Sequence, residues 1–178
     1  MVVRYYWVEC SIITKLLSIK VTPAGVGTNL MEIKANYTFN ATADKVWALL
    51  EDFGAIKEWW PKEGPITIQH VECEGKGIDM IRHIYNVGLD KPVSERLDYM
   101  DPADRVLILS IVGTRSGGIT GYVAIARLNE VGTDKSTLDY HGFITCAPGQ
   151  EEKIEKNIRF TWQTMFAGLR QAAESTSL

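Results

Sequence analysis

The strongest constraint in this chain is a change of period along it. Six short strand-like runs, at residues 66–73, 78–85, 93–100, 106–112, 119–128 and 137–145, are followed by one long stretch with apolar residues at every third or fourth place. Turn-forming residues separate the runs, at 75–77, 101–104, 113–118 and 129–134. Strands joined by such short turns lie beside one another in opposite directions, so the spacing predicts an antiparallel meander. A further strand precedes it: Ile33, Ala35, Tyr37 and Phe39 alternate with Lys34, Asn36, Thr38 and Asn40, the period of a half-buried strand. Thr42 is placed to cap a helix with Asp44 in its first turn and Val46, Trp47, Leu49 and Leu50 on its apolar side. Gly54 interrupts that helix, and a second short one runs to Trp59-Trp60 before Pro61 stops it.

The long stretch opens after Pro148 and Gly149 with Glu151 and Glu152, acids suited to a helix N-terminus, and carries Arg170 toward its other end. Ile154, Ile158, Trp162, Met165, Phe166, Leu169 and Ala173 form a stripe that needs a surface to cover. The concave side of a curved seven-stranded sheet supplies one, which makes the class α+β. One helix cannot fill a curled sheet over its whole width, so the geometry predicts a cavity between them. The alternative is a solid core.

Composition bounds the rest. With 178 residues, 46% of them hydrophobic, the chain is expected to form one domain with a real core. A net charge of -3 with both signs interspersed offers no basic stripe for nucleic acid. No run approaches the roughly 20 apolar residues that stable membrane insertion as a helix requires. Cys10, Cys73 and Cys146 are odd in number and far apart, which reads as free thiols in a reducing, cytoplasmic setting. His70, His83 and His141 show no metal-ligand spacing, so no metal and no cofactor are expected.

Residues 1–30 stand apart. A secretory reading would start at Arg4 with residues 5–13 as apolar core, but Glu9 interrupts it and no small-residue cleavage site follows. Pro23, Gly25, Gly27 and Asn29 form a breaker-rich linker. The segment is expected to extend outside a main domain of residues 31–178; an added strand or helix is the other reading. The oligomeric state is not written in the sequence.

Two charged residues sit where the strand period calls for apolar ones. In the run 78–85 one face carries Ile78, Met80, Arg82 and Ile84; in 93–100 one face carries Val93, Glu95, Leu97 and Tyr99. A hairpin symmetric about Gly88-Leu89 sets Arg82 opposite Glu95, and also sets Asp79 opposite Asp98, a mildly unfavourable pair. Burying two charges costs several kcal/mol per ion before their attraction is counted, so stability alone does not select such a pair. Arg82 can offer two N–H donors to a carboxylate, carbonyl or enolate oxygen, and Glu95 can carry a proton. Isomerisation, dehydration or aldol-type cyclisation would need nothing more, and binding without chemistry fits equally. The bland reading is a structural salt bridge, or a pair in water.

Other candidates are less directed. In the last run Thr137, Asp139, His141 and Phe143 share one face and Leu138, Tyr140, Gly142 and Ile144 the other, and periodicity does not choose between them. Trp59, Trp60 and Trp162 could line a mouth or wall, or be core.

The segments ADKVWALLEDFGAIKEWWP, GKGIDMIRHI, VSERLDYMD, GGITGYVAIARL, STLDYHGF and FAGLRQAAE carry a resemblance over residues 32–174. They resemble the SRPBCC superfamily, also called START-like or helix-grip, in its polyketide cyclase/dehydrase branch. Within it the motifs are most similar to the lachrymatory factor synthase group and, more distantly, to plant abscisic acid receptors. The resemblance implies a small hydrophobic or amphipathic ligand in an internal cavity, held by Arg82 and Glu95 at the catalytic positions and by Tyr122 at that of a pocket tyrosine. It places Asp139 and His141 toward the cavity, a gate at residues 86–92 and a latch at residues 113–117. The receptors' SGLPA and HRL motifs are absent, so hormone sensing does not carry across. Three functions remain: a cofactor-independent polyketide cyclase/dehydratase-like lyase or isomerase; a lipid or small-molecule carrier or sensor; and an interaction subunit docking a partner through Trp59-Trp60 and the extension.

Overall fold

A computed structural model describes residues 29–113 and 117–175. The expected extension therefore lies outside the described residues, except that Asn29 and Leu30 already belong to the first strand. Along the chain come β1 (Asn29–Phe39), α1 (Ala43–Glu51), a 3-10 turn (Phe53–Ala55), α2 (Ile56–Trp59), β2 (Ile68–Glu74), β3 (Ile81–Asn86), β4 (Val93–Asp101), β5 (Val106–Val112), β6 (Ile119–Gly132), β7 (Lys135–Cys146) and α3 (Glu151–Glu174). The strands form one antiparallel sheet in the order β1-β7-β6-β5-β4-β3-β2. This is the α+β helix-grip fold: a meander whose first strand closes against its last, curved around a long terminal helix, with two short helices after β1.

Local chemistry accounts for the elements. The Thr42 hydroxyl accepts the Lys45 N–H at 3.3 Å and starts α1. In β1, Ile33 and Phe39 are buried while Lys34, Asn36 and Thr38 are exposed, as the alternation requires. In α3 the stripe from Ile154 through Ile158, Trp162, Phe166 and Leu169 to Ala173 is buried in the main core. Two glycines let backbones come close. A Cβ on Gly142 of β7 would lie 2.8 Å from the Trp162 indole, and one on Gly168 of α3 would fall on the Trp59 carbonyl and the Pro61 ring. Arg170 donates to the Thr38 carbonyl at 3.1 Å, tying α3 to β1.

The β3–β4 register sets Arg82 opposite Glu95 and Ile84 opposite Val93, the pairing given by symmetry about Gly88-Leu89. Two parts of that expectation are corrected. β3 begins at Ile81, because Asp79 takes a left-handed φ of 70° and the chain turns there; Asp79 N–H donates to Leu97 O at 2.8 Å, so Asp79 does not face Asp98. A bulge in β4 between Leu97 and Tyr99 then reverses the faces. Tyr99 joins the outer cluster and Met100 packs on the main core. Among the described residues no helix is long and apolar enough to cross a membrane.

Candidate functional site

Between the sheet and α3 lies a cavity of about 420 Å³. Its wall is mostly apolar, from Ile56, Trp60 and Ile66 on one side, Ile84, Ile111 and Ile119 on the sheet, and Ile158 and Met165 on α3. Polar side chains enter mainly at two places, with Thr161 of α3 besides. The loop of residues 87–92 brings Asp90 and Lys91 beside Asn86, with Leu89 at the rim. Glu95, Tyr122 and Tyr140 bring theirs from β4, β6 and β7. The loop falls at the positions of the expected gate, whereas residues 114–116 of the expected latch lie outside the described residues.

Glu95 borders the cavity and Arg82 stands behind it. One carboxylate oxygen, Oε2, accepts from Arg82 Nε at 2.8 Å and Nη2 at 2.6 Å. Arg82 Nη1 donates to the Phe53 carbonyl at 2.6 Å, and the guanidinium carbon lies 4.0 Å from the Phe53 ring centroid. Arg82 is 5% exposed and is not among the residues lining the cavity. The expectation that Arg82 offers its donors to a ligand is therefore corrected: each of its three nitrogens already serves Glu95 or Phe53. Its part is to hold the carboxylate in one position, leaving Oε1 free of hydrogen bonds from the described residues.

Opposite Glu95 stand two buried phenols. Tyr122 O accepts the Trp162 indole N–H at 2.9 Å and keeps its own proton to donate. Burial, then the Glu95 charge, pushes the Tyr122 hydroxyl well above the ordinary tyrosine value. Burial, then the neighbouring Tyr122, does the same for Tyr140. Both remain neutral at any ordinary pH, and the Tyr140 hydroxyl also interacts with that of Tyr122. The Tyr140 ring meets Trp162 edge-on at 4.7 Å and Phe166 at 5.0 Å, so aromatic packing holds it in place.

Several expected site residues lie elsewhere. Asp139 and His141 are on the outer face of β7, because Ser136, Leu138, Tyr140, Gly142 and Ile144 are its buried set. Asp139 accepts from Asn36 at 2.7 Å and from Asn129 at 2.9 Å. His141 Nε2 lies 3.3 Å from Glu32 and its ring packs on Phe143; burial, then the Lys34 charge, lowers its pKa. Trp59 is 5% exposed, donates to the Leu49 carbonyl and belongs to the core. Trp60, 7% exposed, donates to the Ile66 carbonyl and does line the cavity, as does Trp162. Neither Trp59 nor Trp60 offers an exposed docking surface.

Sequence reasoning missed Tyr140 and Phe53. The more apolar set of the β7 run was a signal for Tyr140, since the face toward a core carries the apolar residues. Phe53 acts through its carbonyl and ring in a short turn, and no sequence pattern marks that. Among the described residues no group of three or more His, Cys, Asp or Glu side chains could hold a metal.

Residues 31–174 match the family described as polyketide cyclase / dehydrase and lipid transport. No curated protein matches the sequence significantly. Truncated norcoclaurine synthase from Thalictrum flavum is similar in structure, with a TM-score of 0.70 at 16% identity over 86% of this chain and 99% of that one. The Zhui aromatase/cyclase from Streptomyces sp. R1128 superposes with a TM-score of 0.61 at 18% identity, over 82% of this chain and 92% of its own. The di-domain ARO/CYC protein BexL of the BE-7585A biosynthetic pathway reaches 0.67 at 16% identity, covering 81% of this chain and 46% of that one. At these identities the structural likeness speaks for the fold alone.

Proposed function

The chain belongs to the polyketide cyclase / dehydrase and lipid transport family, and from that premise we propose that its cavity takes a small apolar or amphipathic molecule on which Glu95 exchanges a proton. The observation that carries this reading is the posture of Glu95. One oxygen is anchored twice by Arg82 while the carboxylate borders an apolar cavity that also receives the Tyr122 and Tyr140 hydroxyls.

The chemistry follows from what each group can do. A carbonyl oxygen placed at the phenols receives hydrogen bonds that strengthen as negative charge develops on it. Glu95 removes a proton from the adjacent carbon, and the electron pair moves into the enolate. Returning the proton at another carbon is isomerisation; expelling a β-hydroxyl as water, with the proton Glu95 removed passing to the leaving oxygen, is dehydration; and attack of the enolate carbon on a second carbonyl, whose oxygen takes that proton, is aldol cyclisation. Each is completed by one carboxylate and two neutral donors, without a cofactor. Norcoclaurine synthase and the Zhui aromatase/cyclase are enzymes on this fold, which supports the reading by analogy only. We place the protein in a reducing compartment, where Cys73 and Cys146 stay as thiols.

Carriage without chemistry is the second reading, favoured by one observation: Arg82 is turned to Glu95 and the Phe53 carbonyl and does not line the cavity, so the buried guanidinium does not meet an anionic intermediate there. An apolar aryl ketone such as 2-tetralone separates the two. In D2O, the purified protein should speed exchange of its acidic C–H protons, followed by NMR, and Glu95→Gln should slow that by about a hundredfold. Binding, read by quenching of Trp60 and Trp162 fluorescence, should change by less than about tenfold in the same variant. Binding with no enhanced exchange in the native protein would establish the carrier reading instead. Native mass spectrometry of protein from its own cells would identify the molecule.

A further inference from the structure

We infer that the molecule this cavity takes is an amphipathic carboxylic acid, seated with a carbonyl at Glu95 and its carboxylate at Lys91 on the rim. This rests on the reading of the cavity proposed above and names the class of molecule. Among the described residues three charged side chains line the cavity, Asp90, Lys91 and Glu95, and Lys91 is the one cation. Arg82 is turned to Glu95 and the Phe53 carbonyl instead. Lys91 is exposed, and no described residue holds its side chain by a hydrogen bond or an ion pair, the neighbouring Asp90 included. A carboxylate that meets it keeps contact with water, so the pairing carries little of the desolvation cost of a buried charge.

The charges at the two ends decide which way round a molecule enters. Glu95 repels an anion at the inner end and Lys91 attracts one at the rim, so an acid has one favourable orientation, carbonyl inward. A cation has two competing seats, Asp90 and Glu95, and at the inner one it would pair with the base itself. A neutral molecule is not directed by charge at all. With one lining cation and Asp90 beside it, the rim fits a singly charged carboxylate better than a phosphate dianion. Lys91 stands four residues before Glu95, no more than about 14 Å from it between Cα atoms, and Pro92 and Val93 line the cavity between them. A ring and a short chain cover that span.

The test reads affinity alone, by isothermal titration calorimetry on the full chain at neutral pH, so it does not depend on chemistry at Glu95. The probes are para-acetylphenylbutyrate, its methyl ester, and para-acetylphenylbutylamine, which share one ketone and differ in the charge at the far end. The native protein should bind the acid about fivefold more tightly than the ester, the upper end for an exposed ion pair. Lys91→Gln should bring that ratio to about one, Lys91→Glu should reverse it, and added salt should narrow it in the native protein. Each ratio is taken within one protein, so a general change of stability or cavity shape cancels. Equal affinity for acid and ester in the native protein, a preference that survives Lys91→Gln, or tighter binding of the amine than of the acid would overturn the inference and leave the cavity reading in place. Binding of none of the three would remove both.

Discussion

At the scale of single residues, the Arg82–Glu95 pair carries the most consequence. With side-chain exposures of 6% and 16%, removal of the guanidinium leaves a carboxylate in apolar surroundings with no counter-charge. Arg82→Ala should therefore cost about 3–5 kcal/mol in denaturant unfolding, and Arg82→Met combined with Glu95→Leu should recover much of it. A single-variant loss under about 1 kcal/mol would mean the pair is effectively solvated. The phenols give a pH dependence. Tyr122 and Tyr140 have folded pKa values raised by burial above the ordinary 10.0. The neutral forms are thus bound more tightly in the folded state, so their contribution is complete below pH 10.0 and is lost as pH rises through the folded values. Melting temperature should fall above that pH, and Tyr122→Phe with Tyr140→Phe should flatten the fall. The Arg82–Glu95 pairing was legible in the sequence because period two and a short symmetric loop leave little freedom of register. Tyr99 was misplaced because a bulge inserts one residue and reverses every face beyond it, and bulges have no reliable sequence mark.

At the scale of elements, the close approach of α3 to its surroundings rests on absent side chains. Gly168→Ala puts a methyl group into backbone and ring atoms of Trp59 and Pro61, neither of which can move without displacing the end of α2. Gly142→Ala meets the Trp162 indole, whose N–H orients Tyr122. Each should destabilise by about 1–3 kcal/mol in denaturant unfolding, and both should alter the cavity tryptophan emission, Gly142→Ala through Trp162 and Gly168→Ala through Trp60, which lies between Trp59 and Pro61. The loop of residues 87–92 borders the cavity. Leu89 is 53% exposed yet reaches the cavity rim, so Leu89→Ala should raise the dissociation rate of a bound molecule severalfold in stopped-flow fluorescence while changing association less. Element type and order could be read in advance, since period, caps and turn residues are local properties. The faces of β7 were harder to read: both sets contain an aromatic residue, the more apolar set was the one signal, and the packing of α3 put that set inside.

At the scale of the molecule, an apolar cavity of about 420 Å³ is packing the fold forgoes, and a ligand restores it. A molecule present at a hundredfold over its Kd should stabilise the protein by about 2.7 kcal/mol, a rise of about 5 to 10 °C in melting temperature for a chain of this size. Ile111→Phe, which fills part of the same volume from β5, should abolish that rise without lowering the melting temperature of the empty protein. A loss of stability in the empty form would show that the wall at Ile111 is already closely packed.

The sequence by itself determined the order of strands and helices, the antiparallel meander, the covering of the sheet by the last helix, and the meeting of Arg82 with Glu95. All of these depend on residues near in sequence or on a short loop that fixes register. Only the tertiary structure decided that Arg82 turns its nitrogens to Phe53 and Glu95 rather than to the cavity, that Tyr140 faces inward while Asp139 and His141 face outward, and that Trp59 is core. Those outcomes depend on how distant segments fill space together, and close packing is a property of the assembled whole that no run of residues contains.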